Sequence, residues 1–513
     1  MIKKLFNRFI NFSENTINKI ENSKTPLYYF IFSFLFIIQL RNLLEHFSAG
    51  TRINFYAHIH FILFYCCLIL TIILITRIFT KENIVKSFKS FSLFFPVILI
   101  GPLIDILHKG INNSNMSYFY PSNFKELLVM FFTFGGRYTG LGATIGMQIH
   151  ILLILILILI YTLIKTNKNI KKSLLSSFFS YIIIFLYGSL AYFLERFFNL
   201  TYNDIAFSMI FFILFYIILL ISFYIHKKDF FKIIFKDSRI LRILYYFLML
   251  ILGIAIGYQN YDLLKYSIPD YLFLKIIISF LSILFAAFFS IITNNFVDYN
   301  IDKISNKERP LFNNNLSKRD YFFFGLISLV LSLISSFLLG YFGFFCIFLL
   351  IGSYFIYSMP PIRFKRIPIF SKLIISFNSL FLALLGFSFL LESSDVIYLT
   401  SFPTEYIIFF LLFTLAANFI DIKDYEGDKK EGIKTLPVLL GLEKSKKLIA
   451  FFFILPYLFI GLLNKDLMII CILLSLVNIL LITDKNYNER RILINILFSI
   501  LIYILSLLIY IPK

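Results

Sequence analysis

Long apolar runs separated by short polar loops set the pattern of this chain. Stretches such as Ile151–Ile164, Tyr181–Phe193 and Phe323–Leu339 extend to about 20 residues, enough for a helix to cross the hydrocarbon core of a bilayer. In the first half, apolar segments fall near 27–47, 54–76, 91–107, 124–136, 144–164, 174–194 and 205–225. From Arg242 onward nine more fall near 243–258, 271–293, 320–340, 342–357, 369–391, 404–420, 447–463, 467–483 and 491–511. The pattern predicts an all-α polytopic membrane protein: a six-span region over 1–235, of unknown role, followed by a nine-span region over 236–513. The stretch 124–136 is short and interrupted by Gly135, Gly136 and Arg137, so it reads as a re-entrant or interfacial piece.

Charge fixes the expected orientation. Lys and Arg gather in the leader Met1–Lys24, in Arg77–Lys89, Lys165–Lys172 and Lys227–Lys236, and then in Lys303–Arg319, Arg363–Lys372, Lys423–Lys447 and Lys485–Arg491. With 124–136 not spanning, all of these loops fall on one side, which the positive-inside rule makes cytoplasmic. The opposite loops hold Lys265 and Lys465 at most in the second half, and Glu392–Glu405 carries only acidic charge. The N-terminus is therefore expected inside, as a basic amphipathic interfacial leader, and the C-terminus outside.

Composition narrows the class. Of 513 residues, 59% are hydrophobic and 15% charged, against about 45–50% and 25% in soluble domains, which excludes a chain of water-soluble domains. The formal charge of +20 would suggest nucleic acid in a soluble protein, but its placement in loops makes anionic membrane lipid the partner and no nucleic acid is expected. Cys66, Cys67, Cys346 and Cys471 lie in apolar segments without CxxC spacing, so neither zinc nor a disulfide framework is implied.

The candidate chemistry sits where two spans run out into cytoplasmic loops. In Thr293–Asp302, Asn294, Asp298 and Asp302 recur every four residues and project from one face if the helix continues. In Asn418–Asp428, Asp424 and Asp428 repeat that spacing, with Asp421 one turn earlier. Stacked carboxylates repel, so a positive group must lie between them. Oxygen donors without nearby His or Cys select a hard cation, and Mg²⁺ typically combines one or two carboxylates with water and a substrate phosphate. Lys303, Arg309, Arg363, Lys365 and Lys429 occupy the same loops and could neutralise phosphate oxygens. The bland alternative is a set of solvated loop ends, disfavoured by the cost of charges at a membrane rim.

These residues resemble a known family. Asn294-Asn295-x-x-Asp298-x-x-x-Asp302, followed by Arg309-Pro310-Leu311, is similar to the first aspartate-rich motif of the UbiA superfamily of intramembrane prenyltransferases. Asp421-Ile422-Lys423-Asp424-Tyr425-Glu426-Gly427-Asp428-Lys429-Lys430 resembles the second motif, and Tyr357–Lys365 the loop between the fourth and fifth spans. The resemblance covers about 240–513, and Asn295 departs from it where the family usually has Asp. It implies a nine-helix bundle and a Mg²⁺-dependent transferase. Asp298, Asp302, Asp424 and Asp428 would hold the metal, and Lys365 would act with it on departing diphosphate. Asn294, Asn295, Arg309, Tyr357, Arg363, Asp421 and Lys429 would contact substrate. The partners implied are an allylic polyprenyl diphosphate donor and a lipophilic acceptor, either an aromatic or quinone precursor or a prenylated glycerol phosphate. The alternative is a non-catalytic transporter or lipid-binding protein whose aspartates bind a cation or headgroup.

The first half offers a weaker pattern. Arg41, Glu45, His46, His58, His60, Asp105, His108, His150, Glu195 and Arg196 all fall on the external side. Arg41 and Glu45 are four apart and should form an intrahelical ion pair, and interfacial histidines are expected to be solvated. Gly135–Gly142 lacks the strand–helix context of a nucleotide loop and reads as a helix break.

Overall fold

The computed structural model describes residues 2–50, 54–111, 118–136, 142–259, 271–299, 302–303, 309–312, 316–390, 402–430 and 432–509. Parts of Gly135–Gly142 and of Glu392–Glu405, and Lys265, lie outside these. Helix is the only extended regular structure among the described residues. Among the described residues fifteen helical stretches are long and apolar enough to cross a membrane, in agreement with the six and nine expected. The chain is an integral membrane protein and divides into two compact units, Met1–Lys228 and Asp229–Lys513.

The first unit contains α1 (Ile2–Glu21), α2 (Leu27–Ala49), α3 (Phe55–Thr80), α4 (Ile84–Phe91), α5 (Ile100–Lys109), α6 (Phe124–Phe132), α7 (Ile145–Lys165), α8 (Ile170–Gly188), α9 (Leu190–Phe198) and α10 (Asp204–His226). Polar side chains start many of them. Asn54, Asn83, Asn123, Thr144, Asn169 and Asn203 each accept a hydrogen bond from a first-turn N–H, satisfying donors that the helix leaves open. The third span is broken: α4 and α5 are joined by a 3-10 stretch over Ser92–Leu99 that contains Pro96, whose missing N–H interrupts an α-helical ladder. Helix α6 has nine residues, about 14 Å at 1.5 Å per residue, less than half the hydrocarbon thickness. The basic leader is a helix, α1, but it is more than a surface element. Ile10 and Ile17 are buried in the unit's core, and the Glu21 carboxylate accepts from Lys165 Nζ at 2.6 Å and from Ser90 Oγ at 2.7 Å.

The second unit contains α11 (Lys228–Lys236), α12 (Ile240–Gln259), α13 (Leu272–Val297), α14 (Lys318–Phe337), α15 (Gly340–Ser358), α16 (Pro368–Ser388), α17 (Thr404–Ala416), α18 (Tyr425–Lys430), α19 (Leu436–Leu440), α20 (Leu442–Leu463), α21 (Met468–Thr483) and α22 (Glu489–Ile509). Almost all of α11 belongs to it, so the division falls a few residues before the expected 235. Small residues bring its helices together, as expected where lipid removes the hydrophobic drive for helix association. At the crossing of α12 and α16, a Cβ on Gly253 would lie 1.8 Å from the Ala383 carbonyl oxygen, and one on Gly386 2.0 Å from that of Leu250. Between α13 and α14, the Ser282 hydroxyl donates to the Ser332 carbonyl at 2.9 Å and Ser332 returns the bond at 2.8 Å. Cys346 and Cys471 here, and Cys67 in the first unit, are buried free thiols, the packing role expected of them.

Candidate functional site

The first aspartate motif continues helix α13 past its last apolar turn. The Asp298 N–H donates to the Asn294 carbonyl and the Asp302 N–H to the Asp298 carbonyl, both at 2.8 Å, so the four-residue spacing does put the three side chains on one face. Asp298 and Asp302 are buried. Asp298 Oδ1 accepts from Arg363 Nη2 at 2.6 Å and from Lys365 Nζ. Both donors come from the loop after α15, where Arg363 takes a left-handed φ of 48° at the entrance to the 3-10 turn Phe364–Arg366. Asn294 Oδ1 accepts from Ser358 Oγ at 3.1 Å, which ties the motif to the end of α15. Asp302 lies 3.7 Å from Arg309 Nε.

Asn295 occupies a different environment. It is 1% exposed, and its Nδ2 donates to Asp237 Oδ2 and to the Tyr321 hydroxyl, each at 2.8 Å. Asp237 in turn pairs with Arg309 at 3.1 Å. A carboxylate at 295 would face the Asp237 carboxylate, so the amide suits the partner it has.

The second motif leaves α17 through a 3-10 segment, Ala417–Ile422. The Asp424 N–H donates to the Asp421 carbonyl at 3.2 Å and the Asp428 N–H to the Asp424 carbonyl at 2.9 Å. Asp421 Oδ1 accepts from Lys372 Nζ at 2.5 Å, an ammonium with 2% exposure, and its Oδ2 has no hydrogen-bond partner among the described residues. Burial, followed by the Asp421 and Asp424 charges, pushes Asp428 up to about 7. No ion pair joins Asp424 or Asp428 among the described residues.

Electrostatics link the two motifs. Lys365, bonded to Asp298, also acts on Asp428, and the half-buried Tyr357 lies in the fields of Asp421, Asp424 and Asp298. Arg242 of α12 pairs with Glu489 of α22 at 2.6 Å, and its charge reaches Tyr357 and Asp424. Burial and the nearby Arg242 and Arg309 guanidiniums push Arg239 below its ordinary value. Sequence reasoning missed Lys372, Asp237, Arg239, Arg242 and Glu489. Lys372 carried a usable signal, because it stands inside a helix of membrane-spanning length. Lys303 and Lys429 are exposed, and the Lys429 ammonium sits 5.7 Å from the Tyr425 ring with no ion pair among the described residues.

One turn along α12 from Arg242, Tyr245 begins the wall of an apolar cavity with about 730 Å³ of empty space, lined also by Met249, Phe413, Phe453 and Tyr503. Among the described residues no three His, Cys, Asp or Glu converge tightly enough to form a ready-made metal cage. The carboxylate oxygens of Asp298, Asp302, Asp424 and Asp428 are the donor type that Mg²⁺ takes, one or two at a time beside water and phosphate oxygen.

In the first unit the Arg41–Glu45 pair forms as expected, but the expectation of solvated histidines fails for two of the five, while His108 is exposed and His46 and His58 are half-buried. His60 and His150 are buried, at 0% and 3% exposure. His60 is enclosed by Tyr118, Tyr202, Phe207 and Phe211, with its Nε2 bonded to the Tyr118 hydroxyl. Aromatic neighbours distant in sequence remove it from water, which linear position cannot reveal.

Comparison with known proteins gives concordant results. A family model described as the UbiA prenyltransferase family matches residues 263–492. Over 198 residues the chain is 30% identical to a digeranylgeranylglyceryl phosphate synthase of Sulfurisphaera tokodaii, covering 36% of this chain and 69% of that protein. It is 27% identical over 152 residues to a protein of the same name from Pyrococcus horikoshii, covering 30% of this chain and 52% of that one. A bacteriochlorophyll synthase 33 kDa chain of Cereibacter sphaeroides is 28% identical over 160 residues, 30% of this chain and 51% of that one. The match thus spans about half the length of most of these relatives. A solved UbiA homologue from Archaeoglobus fulgidus, bound to DMAPP and Mg²⁺, aligns with 54% of this chain and 99% of its own at 20% identity and a TM-score of 0.42. On the motif order, the nine-span unit and the Sulfurisphaera relative, the chain belongs to the UbiA prenyltransferase family.

Proposed function

We propose that the second unit is a Mg²⁺-dependent intramembrane prenyltransferase that moves an isoprenyl group from an allylic polyprenyl diphosphate to a lipophilic acceptor and releases diphosphate. The observation that carries this reading is the placement of two carboxylate pairs, Asp298 with Asp302 and Asp424 with Asp428, at two helix ends linked electrostatically through Tyr357 and Lys365. Burial, with the Asp421 and Asp424 charges, raises Asp428, and a bound cation would offset that cost. Bound there, Mg²⁺ would supply Lewis-acid neutralisation of the diphosphate oxygens.

The protein's own groups do the rest. Arg363 and Lys365, held on Asp298, are positioned to exchange that carboxylate for a diphosphate oxygen as the leaving charge develops. Arg309 and Asn294 orient the same end of the substrate, and Lys372 keeps the Asp421 charge compensated. The isoprenoid chain extends into the apolar cavity below Arg242, away from water that would quench an allylic cation. The Tyr357 ring stands among the carboxylates where such a cation would form. The names of the archaeal relatives support a prenylated glycerol phosphate as acceptor, with an aromatic or quinone precursor as the second class. The basic loops support a cytoplasmic N-terminus, an external C-terminus and a site at the cytoplasmic face.

The test is transfer of a labelled prenyl group in membranes. Asp298→Ala and Asp424→Ala should each lower Mg²⁺-dependent transfer by about 10²–10³-fold, the usual cost of removing a group aimed at developing charge. Full activity in either variant would remove the metal assignment. Transport of a lipid across vesicles without consumption of allylic diphosphate would favour a transporter instead.

A further inference from the structure

The loop that joins α21 to α22 lies outside both aspartate motifs, and its course is set by its own polar residues. The Asp484 side chain accepts from the Asn486 N–H at 3.0 Å, a local turn of the kind that Asp favours. Asn488 accepts from the Arg490 N–H at 3.0 Å, which caps the start of α22. Lys446 of α20, 4% exposed, donates to the Asp484 carbonyl at 3.0 Å and ties the loop to the bundle. Tyr487 and Glu489 flank the Asn488 cap, so both side chains leave from a fixed stretch of backbone.

Both side chains reach the second aspartate motif. The Tyr487 hydroxyl donates to the Phe419 carbonyl at 2.5 Å, two residues before Asp421 and inside the 3-10 segment Ala417–Ile422. A 3-10 turn has poorer hydrogen-bond geometry than an α-helix, so a donor from outside adds to what holds it. The Phe419 ring is buried against Phe453 of α20, with ring centres 5.6 Å apart, and the hydroxyl fixes the backbone of the same residue. Glu489 accepts from Arg242 at 2.6 Å and lies 3.7 Å from the ammonium of Lys423, the residue before Asp424. The Lys423, Glu489 and Arg242 charges all act on Asp424. Both cations pair with Glu489, however, and Asp424 has no ion pair among the described residues. A carboxylate occupied by a guanidinium keeps fewer lone pairs for a metal, so the choice of partner decides what Asp424 has left to offer.

We infer that Tyr487 and Glu489 are positioning residues for cation binding at Asp424 and Asp428: Tyr487 braces the backbone that presents the motif, and Glu489 holds Arg242 and Lys423 off Asp424. Tyr487 touches a carbonyl and Glu489 touches cations, so each acts through a neighbour and neither contacts substrate. The inference rests on the metal-dependent reading of the second unit proposed above.

The experiment titrates Mg²⁺ into the full chain in detergent and measures binding of radiolabelled geranyl thiodiphosphate, an unreactive analogue of an allylic diphosphate. In Tyr487→Phe and in Glu489→Gln the Mg²⁺ concentration for half-maximal binding should rise about threefold or more, the scale of one hydrogen bond or partly exposed ion pair. The number of sites at saturating Mg²⁺ should stay the same. A merely structural role would instead lower the number of sites, through loss of folded protein, and leave the Mg²⁺ midpoint where it was. Adding Arg242→Gln to Glu489→Gln removes the released cation and should bring the midpoint back toward the parent value. If Asp424→Ala loses Mg²⁺-dependent binding while Tyr487→Phe and Glu489→Gln keep the parent midpoint, or lose only sites, the inference is overturned and the metal-dependent reading stands. A parent that binds the analogue without regard to Mg²⁺, or an Asp424→Ala variant that binds like the parent, would remove that reading and the inference with it.

Discussion

Replacing Lys372 by Met should destabilise the second unit far more than a single surface charge would. The ammonium is 2% exposed and bonds Asp421 Oδ1 at 2.5 Å, and the other Asp421 oxygen has no partner among the described residues. Methionine fills nearly the same space, so the loss is one of charge: Asp421 becomes a buried carboxylate without its counter-ion. Breaking a buried pair in this way costs about 3–5 kcal/mol. At about 2–4 °C per kcal/mol for domains of this size class, the midpoint of thermal unfolding in detergent should fall by about 6–20 °C. The double variant Lys372→Met/Asp421→Leu removes both charges and should recover most of the loss, since an apolar replacement of a whole buried pair is often neutral or stabilising. The cycle of both singles and the double isolates the pair from changes in packing. A midpoint within about 2 °C of the parent in Lys372→Met, or a double variant no better than the single, would show that Asp421 does not depend on this lysine.

Three further outcomes follow from the geometry. Gly253→Val should lower the unfolding midpoint by the equivalent of about 1–3 kcal/mol or more, because its Cβ would fall 1.8 Å from the Ala383 carbonyl oxygen; thermal scans in detergent check it. Asn295→Asp, which sets a carboxylate against Asp237, should reduce prenyl transfer about tenfold, or ~1.4 kcal/mol, and Asp237→Asn in the same chain should restore it; steady-state kinetics over a Mg²⁺ titration measure both. Chelation of divalent cations should abolish transfer, and Mg²⁺ but not Na⁺ should restore it, which a labelled-donor assay in washed membranes reads directly.

The span count was legible because a bilayer imposes one length on every crossing helix, and because loop charge fixes parity. The spacing of Asp298 and Asp302, and of Asp424 and Asp428, was legible for a similar reason: a helix turns the same way wherever it occurs. Pairings were not. Arg363 and Lys365 belonged to the right loops, but their choice of Asp298 depends on how the chain turns after Tyr357. Asn295 read as a departure within the metal motif until Asp237 and Tyr321 appeared beside it. Asp237 lies 58 positions away in sequence, and no periodicity connects them. In the first unit, His60 and His150 sat near helix ends where water was expected; helices from elsewhere in the chain cover them.

The ion pair between Arg242 and Glu489 has a consequence for biosynthesis. It joins α12 and α22 across 247 positions, beside the candidate site, and α12 also packs directly on α22. At roughly 5–20 residues per second, a ribosome needs about 12–50 s to travel from one partner to the other. Throughout that interval Arg242 waits without its carboxylate, and the wall of the bundle stays open to whatever lipid or insertion factor lies alongside. The order of synthesis therefore makes the candidate site one of the last parts of the second unit to be finished.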